Sequence, residues 1–376
     1  MKQDRRQFIK TSSGLTALSL KTVVNTPGRG IPISDAAAVK WPLVESADTP
    51  RLVMGISLNA DIKSMRRLRQ IGINCVSSVF GPGPWLEKEL REHMDKFEQQ
   101  GLRLINLMYM VGPSIVLGKE DRDSDIKRVN ESIRAAGACG LPTVEYNFYV
   151  DRLVEGYYEK GGRGGAGLTA FDFSKVRDLS PKPEIGIHRA EELWANLEYF
   201  LKEVIPVAEQ AGVRLALHPN DPVSQTSHGS DQIMASWKGM KRLITLVDSP
   251  SNGITFDCGV VRQMGEDPIE VCRYFASRDR INHVHYRNVI SEISYEKYTE
   301  VFLDEGEVNM YGVMEELFKH KYRRGLYPEH PFILDYDREH PGGEKRNGSM
   351  PGGGGYAAEC FNVGFARAMM LAVMSK

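Results

Sequence analysis

From Arg51 onward the chain alternates between two hydrophobic periods, and that alternation constrains its fold more than any other feature. Short β-branched and aromatic runs appear as "RLVMGIS", "NCVSSVF", "LRLINLMYM", "TVEYNFYV", "VRLALHP", "GITFDCG", "INHVHYRNV" and "PFILDYD". Between them lie segments of helical period: "DIKSMRRLRQIG", "WLEKELREHMDKFEQQG", "DSDIKRVNESIRAAGACG" and "RAEELWANLEYFLKEVIPVAEQAG" each close on a glycine, a common helix stop. "MYGVMEELFKH" precedes the eighth strand, and "AAECFNVGFARAMMLAVM" closes the chain. Eight strands interleaved with helices predict an α/β fold, a (β/α)8 barrel. The absence of a glycine-rich first turn argues against a doubly wound sheet. The predicted organisation is a signal and linker over residues 1–45 and one catalytic barrel over 46–376.

Two long inserts, about Arg152 to Ile187 and Ser291 to Asn309, follow strands and therefore belong to the barrel face where active sites form. Two stretches, "GGRGGAG" and "PGGEKRNGSMPGGGG", are glycine-rich, and both read either as mobile lids or as plain surface loops. "GGRGGAG" lacks the helix and the Lys-Ser/Thr of a phosphate loop.

The N-terminus, "DRRQFIKTSSGLTALSL", sets Arg5 and Arg6 before a weakly apolar stretch. It reads as a twin-arginine-like export signal, which implies a periplasmic protein, with a cytoplasmic one as the alternative. A net charge of −1 leaves no electrostatic footprint for nucleic acid or anionic lipid. No apolar run is expected to reach the roughly 20 residues of a bilayer span, so no stable membrane association is expected. The five cysteines, Cys75, Cys139, Cys258, Cys272 and Cys360, are scattered and show neither a disulfide framework nor a metal knuckle.

The chemistry concentrates where predicted strands end. The fifth offers His218, the sixth Asp257 and Cys258, the seventh His283, His285 and Arg287, the eighth Asp335 and Asp337. Barrel strands aim these ends at one mouth, where buried carboxylates need a cation or several donors. A divalent metal answers that need, and a mixed nitrogen and oxygen set suits Mn2+, Fe2+, Co2+, Ni2+ or Zn2+. Strand alternation puts His283, His285 and Arg287 on one face. His285 lies nearest the mouth and is the expected ligand, His283 sits one layer beneath, and Arg287 is placed to grip an anionic ligand through its fork.

With these residues in view, the chain resembles the D-mannonate dehydratase family, whose fold is xylose-isomerase-like. The similarity runs from about the third strand to the C-terminus. "NLEYFLKEVIPVAEQAGVRLALHPNDP" resembles the family's "A-G-V-x-x-A-x-H-P-D-D-P", "HVHYRNV" its "V-H-x-R-N/D-V", "YNFYV" its "Y-N-F-M", and "MPGGGGY" its "P-G-Y". The resemblance implies a metal-dependent hydro-lyase that converts D-mannonate to 2-keto-3-deoxy-D-gluconate and water. It implies metal ligation by His218, His285 and Asp335, usually of Mn2+, and action of Arg287 and Tyr356 on a small sugar acid. Asn147, with Tyr146, matches the family's strand and is a candidate for binding substrate hydroxyls. A homo-oligomer is expected.

Two positions depart from the family. Its cysteine ligand in "F-C-x-G" meets "FDCG" here, so Asp257 is the expected fourth ligand, with Cys258 as the fallback if a bulge re-aims the strand. Its "R-P-D-H-G-R" resembles "ILDYDR" here, which puts Tyr336 in the place of the acid/base histidine. Tyr336 and Tyr356 are therefore the candidate proton donors. These departures motivate an alternative, a metal-dependent sugar or sugar-acid isomerase or epimerase.

Overall fold

The computed structural model describes residues 46–329, 331–340 and 354–376. The twin-arginine-like segment and most of "PGGEKRNGSMPGGGG" lie outside them. In chain order the strands are β1 (Arg51–Gly55), β2 (Cys75–Val79), β3 (Arg103–Tyr109), β4 (Thr143–Tyr146), β5 (Tyr157–Gly161), β6 (Gly167–Asp172), β7 (Arg214–Leu217), β8 (Thr226–Ser227), β9 (Ser230–Asp231), β10 (Asn252–Asp257), β11 (Ile281–Tyr286), β12 (Asn288–Ile293), β13 (Lys297–Val301), β14 (Gly325–Pro328) and β15 (Phe332–Ile333).

Eight of them close a parallel barrel in the order β1-β2-β3-β4-β7-β10-β11-β14 and back to β1. The first seven are the predicted strands. The eighth is not: "PFILDYD" forms only the short β15, and the barrel closes instead through "GLYP", β14, which pairs with β1 and β11. The error has a physical cause. "GLYP" offers only four residues and a proline, whereas Phe332–Leu334 is the stronger apolar run; its apolarity serves a second sheet.

Helices surround the barrel and close its core, which includes Met54, Leu107, Leu197, Phe256 and Val284. The sequence sets their ends. The Asp61 carboxylate accepts the Ser64 amide at 2.7 Å, and Ser236 caps the helix Trp237–Leu246. The long helix Ala190–Ala211 stops at Gly212, whose φ of +67° needs the absent side chain. The last helix, Tyr356–Met374, is long and apolar enough in composition to cross a bilayer, contrary to the expectation that no run would be. It instead buries Ala358, Glu359, Asn362, Val363, Ala366 and Met370.

The inserts are not independent loops. β12 and β13, β5 and β6, and β15 join in one antiparallel five-stranded sheet, ordered β12-β13-β6-β15 with β5 on β6. "GGRGGAG" is the turn between β5 and β6. The sheet has its own apolar packing: Phe302 stacks on Phe332 at 3.9 Å, and Phe171 stacks on Tyr298 at 5.5 Å. Part of it forms a wall of the barrel mouth, since Thr169 of β6 and Glu300 of β13 line the cleft there.

Candidate metal centre

Parallel register brings the ends of the strands to one level. Asp257 pairs with His285, and His285 with Tyr327, two residues before Glu329. His218 follows β7, and Glu145 stands in β4. Alternation on β11 puts His283 beneath His285, ring centroids 5.3 Å apart and nearly perpendicular.

Four donor atoms converge. His285 Nδ1 lies 3.2 Å from His218 Nε2, 3.1 Å from Glu329 Oε1 and 3.8 Å from Asp257 Oδ2, and His218 Nε2 is 3.6 Å from Asp257 Oδ2. Both histidines are oriented from behind. His218 Nδ1 donates to the Pro219 carbonyl at 2.6 Å, which leaves the Nε2 lone pair facing the cluster. His285 Nε2 faces Glu145 Oε1 at 3.2 Å. Asp257 splits its carboxylate: Oδ1 accepts the Val260 amide at 2.8 Å and caps the helix Cys258–Gln263, while buried Oδ2 has no aligned hydrogen bond.

The donor set fits a divalent cation. Two imidazoles and three carboxylates form two overlapping groups, each with ligand atoms within 4.8 Å. The electrostatics agree. Burial would raise the Glu145 carboxyl, yet His285, His283 and His218 hold it far below the usual carboxylate range. Burial opposes charge on His285, yet Glu145 and Glu329 raise its pKa well above the ordinary value. His283 is pushed down to about 4 by burial, partly offset by Glu145, and stays neutral. The negative field that raises His285 is one that a cation bound between these carboxylates would neutralise in place of the proton.

Arg287 lies beside this cluster, only 4% exposed, inside a cage of four carboxylates. Nη2 is 2.8 Å from Asp257, Nη1 is 2.9 Å from Glu300 and 3.1 Å from Asp221, and Nε is 3.2 Å from Glu329. Asp221 Oδ1 also accepts the phenols of Tyr157 and Tyr298, both at 3.0 Å. Burial, with Asp221 and Glu329 adding to it, pushes the Glu300 carboxyl up to about 8 despite Arg287. The cleft above has a volume of about 1050 Å3, and Asn147, Tyr149, Arg152, Thr169 and Glu300 line it.

The structure brings together His218, Asp257 and His285, and it sets Asn147 in the same cleft, Nδ2 3.8 Å from Met108 Sδ. It does not bring Asp335 to them. With β14 as the eighth strand, Asp335 opens the short helix Asp335–Glu339, and Glu329 takes the strand-end position. The family's "R-P-D-H-G-R" accordingly fits Tyr327-Pro328-Glu329-His330 and not Ile333–Arg338; His330 itself lies outside the described residues. Asp337 caps the last helix, accepting the amides of Ala357 and Ala358.

Neither candidate tyrosine lines the cleft. Tyr336 is 57% exposed and stacks on His340 at 4.3 Å. Tyr356 donates to the Arg67 carbonyl at 3.2 Å. Cys258 faces away: its buried thiol donates to the Arg287 carbonyl at 3.2 Å, and burial pushes its pKa up. Arg287, expected to grip substrate, is engaged by its cage. Sequence reasoning passed over Glu145, Glu329, Glu300 and Arg152. Glu145 did carry a signal, a lone carboxylate in the apolar run "TVEY".

Comparison with known proteins places this chain in a family. A D-mannonate dehydratase (UxuA) family model matches residues 184–349. A curated mannonate dehydratase of Streptococcus pneumoniae (strain 70585) is 30% identical over 272 residues, 65% of this chain and 74% of that protein. The crystal structure of mannonate dehydratase from Streptococcus suis serotype 2 superposes with a TM-score of 0.77 at 26% identity, covering 86% of this chain and 95% of that one. A xylose isomerase domain protein from Alicyclobacillus acidocaldarius shares the barrel at 14% identity and a TM-score of 0.54, with 87% of this chain and all of that one covered. By sequence and by fold, the chain belongs to the mannonate dehydratase family.

Proposed function

We propose that this chain is a hydro-lyase that removes water from D-mannonate to give 2-keto-3-deoxy-D-gluconate. The observation that carries the reading is the convergence of His218, Asp257, His285 and Glu329 on one point inside the mouth of the barrel. Those four residues would hold a divalent cation, Mn2+ by the family resemblance. When bound, it supplies Lewis acidity to the carboxylate or an adjacent hydroxyl of the sugar acid, a contribution of several kcal/mol.

The residues divide the remaining work. Glu145 fixes the tautomer and orientation of His285 from behind, as Pro219 does for His218. Arg287 keeps Asp221, Asp257, Glu300 and Glu329 charged or hydrogen-bonded at close quarters without mutual repulsion opening the site. Dehydration transfers the C2 proton to a base, forms a C2–C3 double bond and expels the C3 hydroxyl, which takes a proton from an acid and leaves as water. The resulting enol tautomerises to the keto acid. His330 stands in the chain where the family motif has its acid/base histidine. Glu300 lines the cleft, where its carboxyl can hydrogen-bond a substrate hydroxyl. Asn147 offers its amide to the same ligand.

The test is to incubate the purified, manganese-loaded protein with D-mannonate and to follow the product by mass spectrometry. A product lighter by one water is expected. An isomer of unchanged mass, or no turnover by fully metallated protein, would overturn the assignment.

A further inference from the structure

We propose that Arg152, and not Arg287, is the cation that takes the carboxylate of the ligand, and so decides between a sugar acid and a neutral sugar. The inference rests on the sugar-acid reading above and deepens it.

It begins with charge. Six carboxyl groups, Asp61, Glu145, Asp221, Asp257, Glu300 and Glu329, surround the mouth. An anion entering that field needs a cation with hydrogen-bonding capacity to spare. Among the described residues lining the cleft, the only lysines or arginines are Arg152 and Arg287. Arg287 is disqualified by its geometry. All three of its nitrogens lie within 3.2 Å of carboxylate oxygens, Nε and Nη2 as ion pairs without aligned hydrogen bonds, and the residue is only 4% exposed. To bind a substrate carboxylate it would have to release one of those acids and leave a buried charge uncompensated.

Arg152 differs on each count. It opens the insert that follows β4, and its side chain is 35% exposed while lining the cleft. Its Nε–H donates to the main-chain carbonyl of Asp221 at 2.8 Å. Nη2 is 3.8 Å from Asp221 Oδ2, beyond hydrogen-bond length. The guanidinium carbon is 5.9 Å from the centre of the Tyr157 ring. The guanidinium is thus tethered through Nε to a carbonyl, with the Tyr157 hydroxyl as a further partner, and the rest of its fork keeps donor capacity. A guanidinium held this way is pre-organised for a two-point grip on a carboxylate. The same aspartate serves both arginines: its side chain holds Arg287 and its carbonyl holds Arg152.

The experiment compares calorimetric binding of D-gluconate, an unreacted aldonate probe, with that of D-glucitol, its neutral counterpart, to manganese-loaded wild type, R152M and R152Q. Wild type should prefer gluconate, and R152M should lose about 10- to 100-fold in gluconate affinity while binding glucitol as before. R152Q keeps a donor for the Asp221 carbonyl and should show the same loss, so it carries the test if R152M fails to fold; melting temperature and metal content verify each variant. If the variants keep the wild-type preference for gluconate, the assignment to Arg152 is overturned. If wild type itself shows no preference, the sugar-acid reading falls first, a result distinct from the preceding one.

Discussion

The two ends of the barrel handle charge in opposite ways. At the end where the strands begin, Asp279 takes Arg214 on Oδ2 and Arg324 on Oδ1, each at 2.7 Å, and Arg280 meets Asp248. Each carboxylate there finds its cation within the chain. At the end where the strands finish, Glu145, Asp221, Asp257, Glu300 and Glu329 crowd around Arg152, Arg287, His218 and His285, and Asp257 Oδ2 has no aligned hydrogen bond. The first arrangement is complete in itself and can only stabilise. The second is complete only with a ligand, which makes it a site.

Substitutions at the two ends should therefore separate activity from stability. The largest effect is expected from His285→Ala, which removes the atom that faces His218, Asp257 and Glu329. Turnover of D-mannonate should fall by about 10³-fold or more, and manganese should no longer raise the melting temperature. Retained turnover would mean that the mouth is not the metal centre. Next is Glu145→Gln, which touches the cluster only through His285 Nε2. Manganese affinity, read by competition with a fluorescent chelator, should weaken by about 10- to 100-fold; unchanged affinity would remove Glu145 from the site.

The smallest effect belongs to the other end. Asp279→Asn should lower stability by about 1 kcal/mol in urea unfolding and leave kcat unchanged. Asparagine suits the backbone there, where φ is +54°. The pH dependence has a definite sign. Burial would raise the Asp279 carboxyl, but Arg214 and Arg324 more than offset it, so the folded pKa lies below the unfolded value of about 3.9. Its stabilising effect is present above that value and is lost as pH falls through the lower folded pKa. Wild type and variant should therefore converge in stability at strongly acidic pH. A loss of kcat in D279N would blur the division between the ends.

Seven of the eight barrel strands were legible because each combines a β-branched or aromatic core with a polar boundary. His218, Asp257 and His285 followed, since strand alternation fixes which side chains face the mouth. Alternation also separated Asp257 from Cys258. The eighth strand was hidden because four residues ending in proline carry too little pattern, and the apolar Phe332–Leu334 drew the assignment downstream, from β14 to β15. Asp335 and Tyr336 were misplaced with it, and Glu329 was missed. Glu300 and Arg152 were invisible for another reason. The strand of Glu300, β13, pairs with the distant β6, and Arg152 is held by Asp221 beyond β7, and no local period reports either contact.

That pairing affects the order in which the molecule can become competent. The sheet beside the mouth draws its strands from after β4, after β11 and after β14, and its shortest member is the pair Phe332–Ile333. A ribosome must release nearly the whole polypeptide before the last of these can dock. Arg287 and Asp221 meet only when the connections after β11 and β7 have been brought together. The catalytic pocket is thus among the final things the nascent enzyme acquires, and a truncated chain could close much of its scaffold while remaining inert.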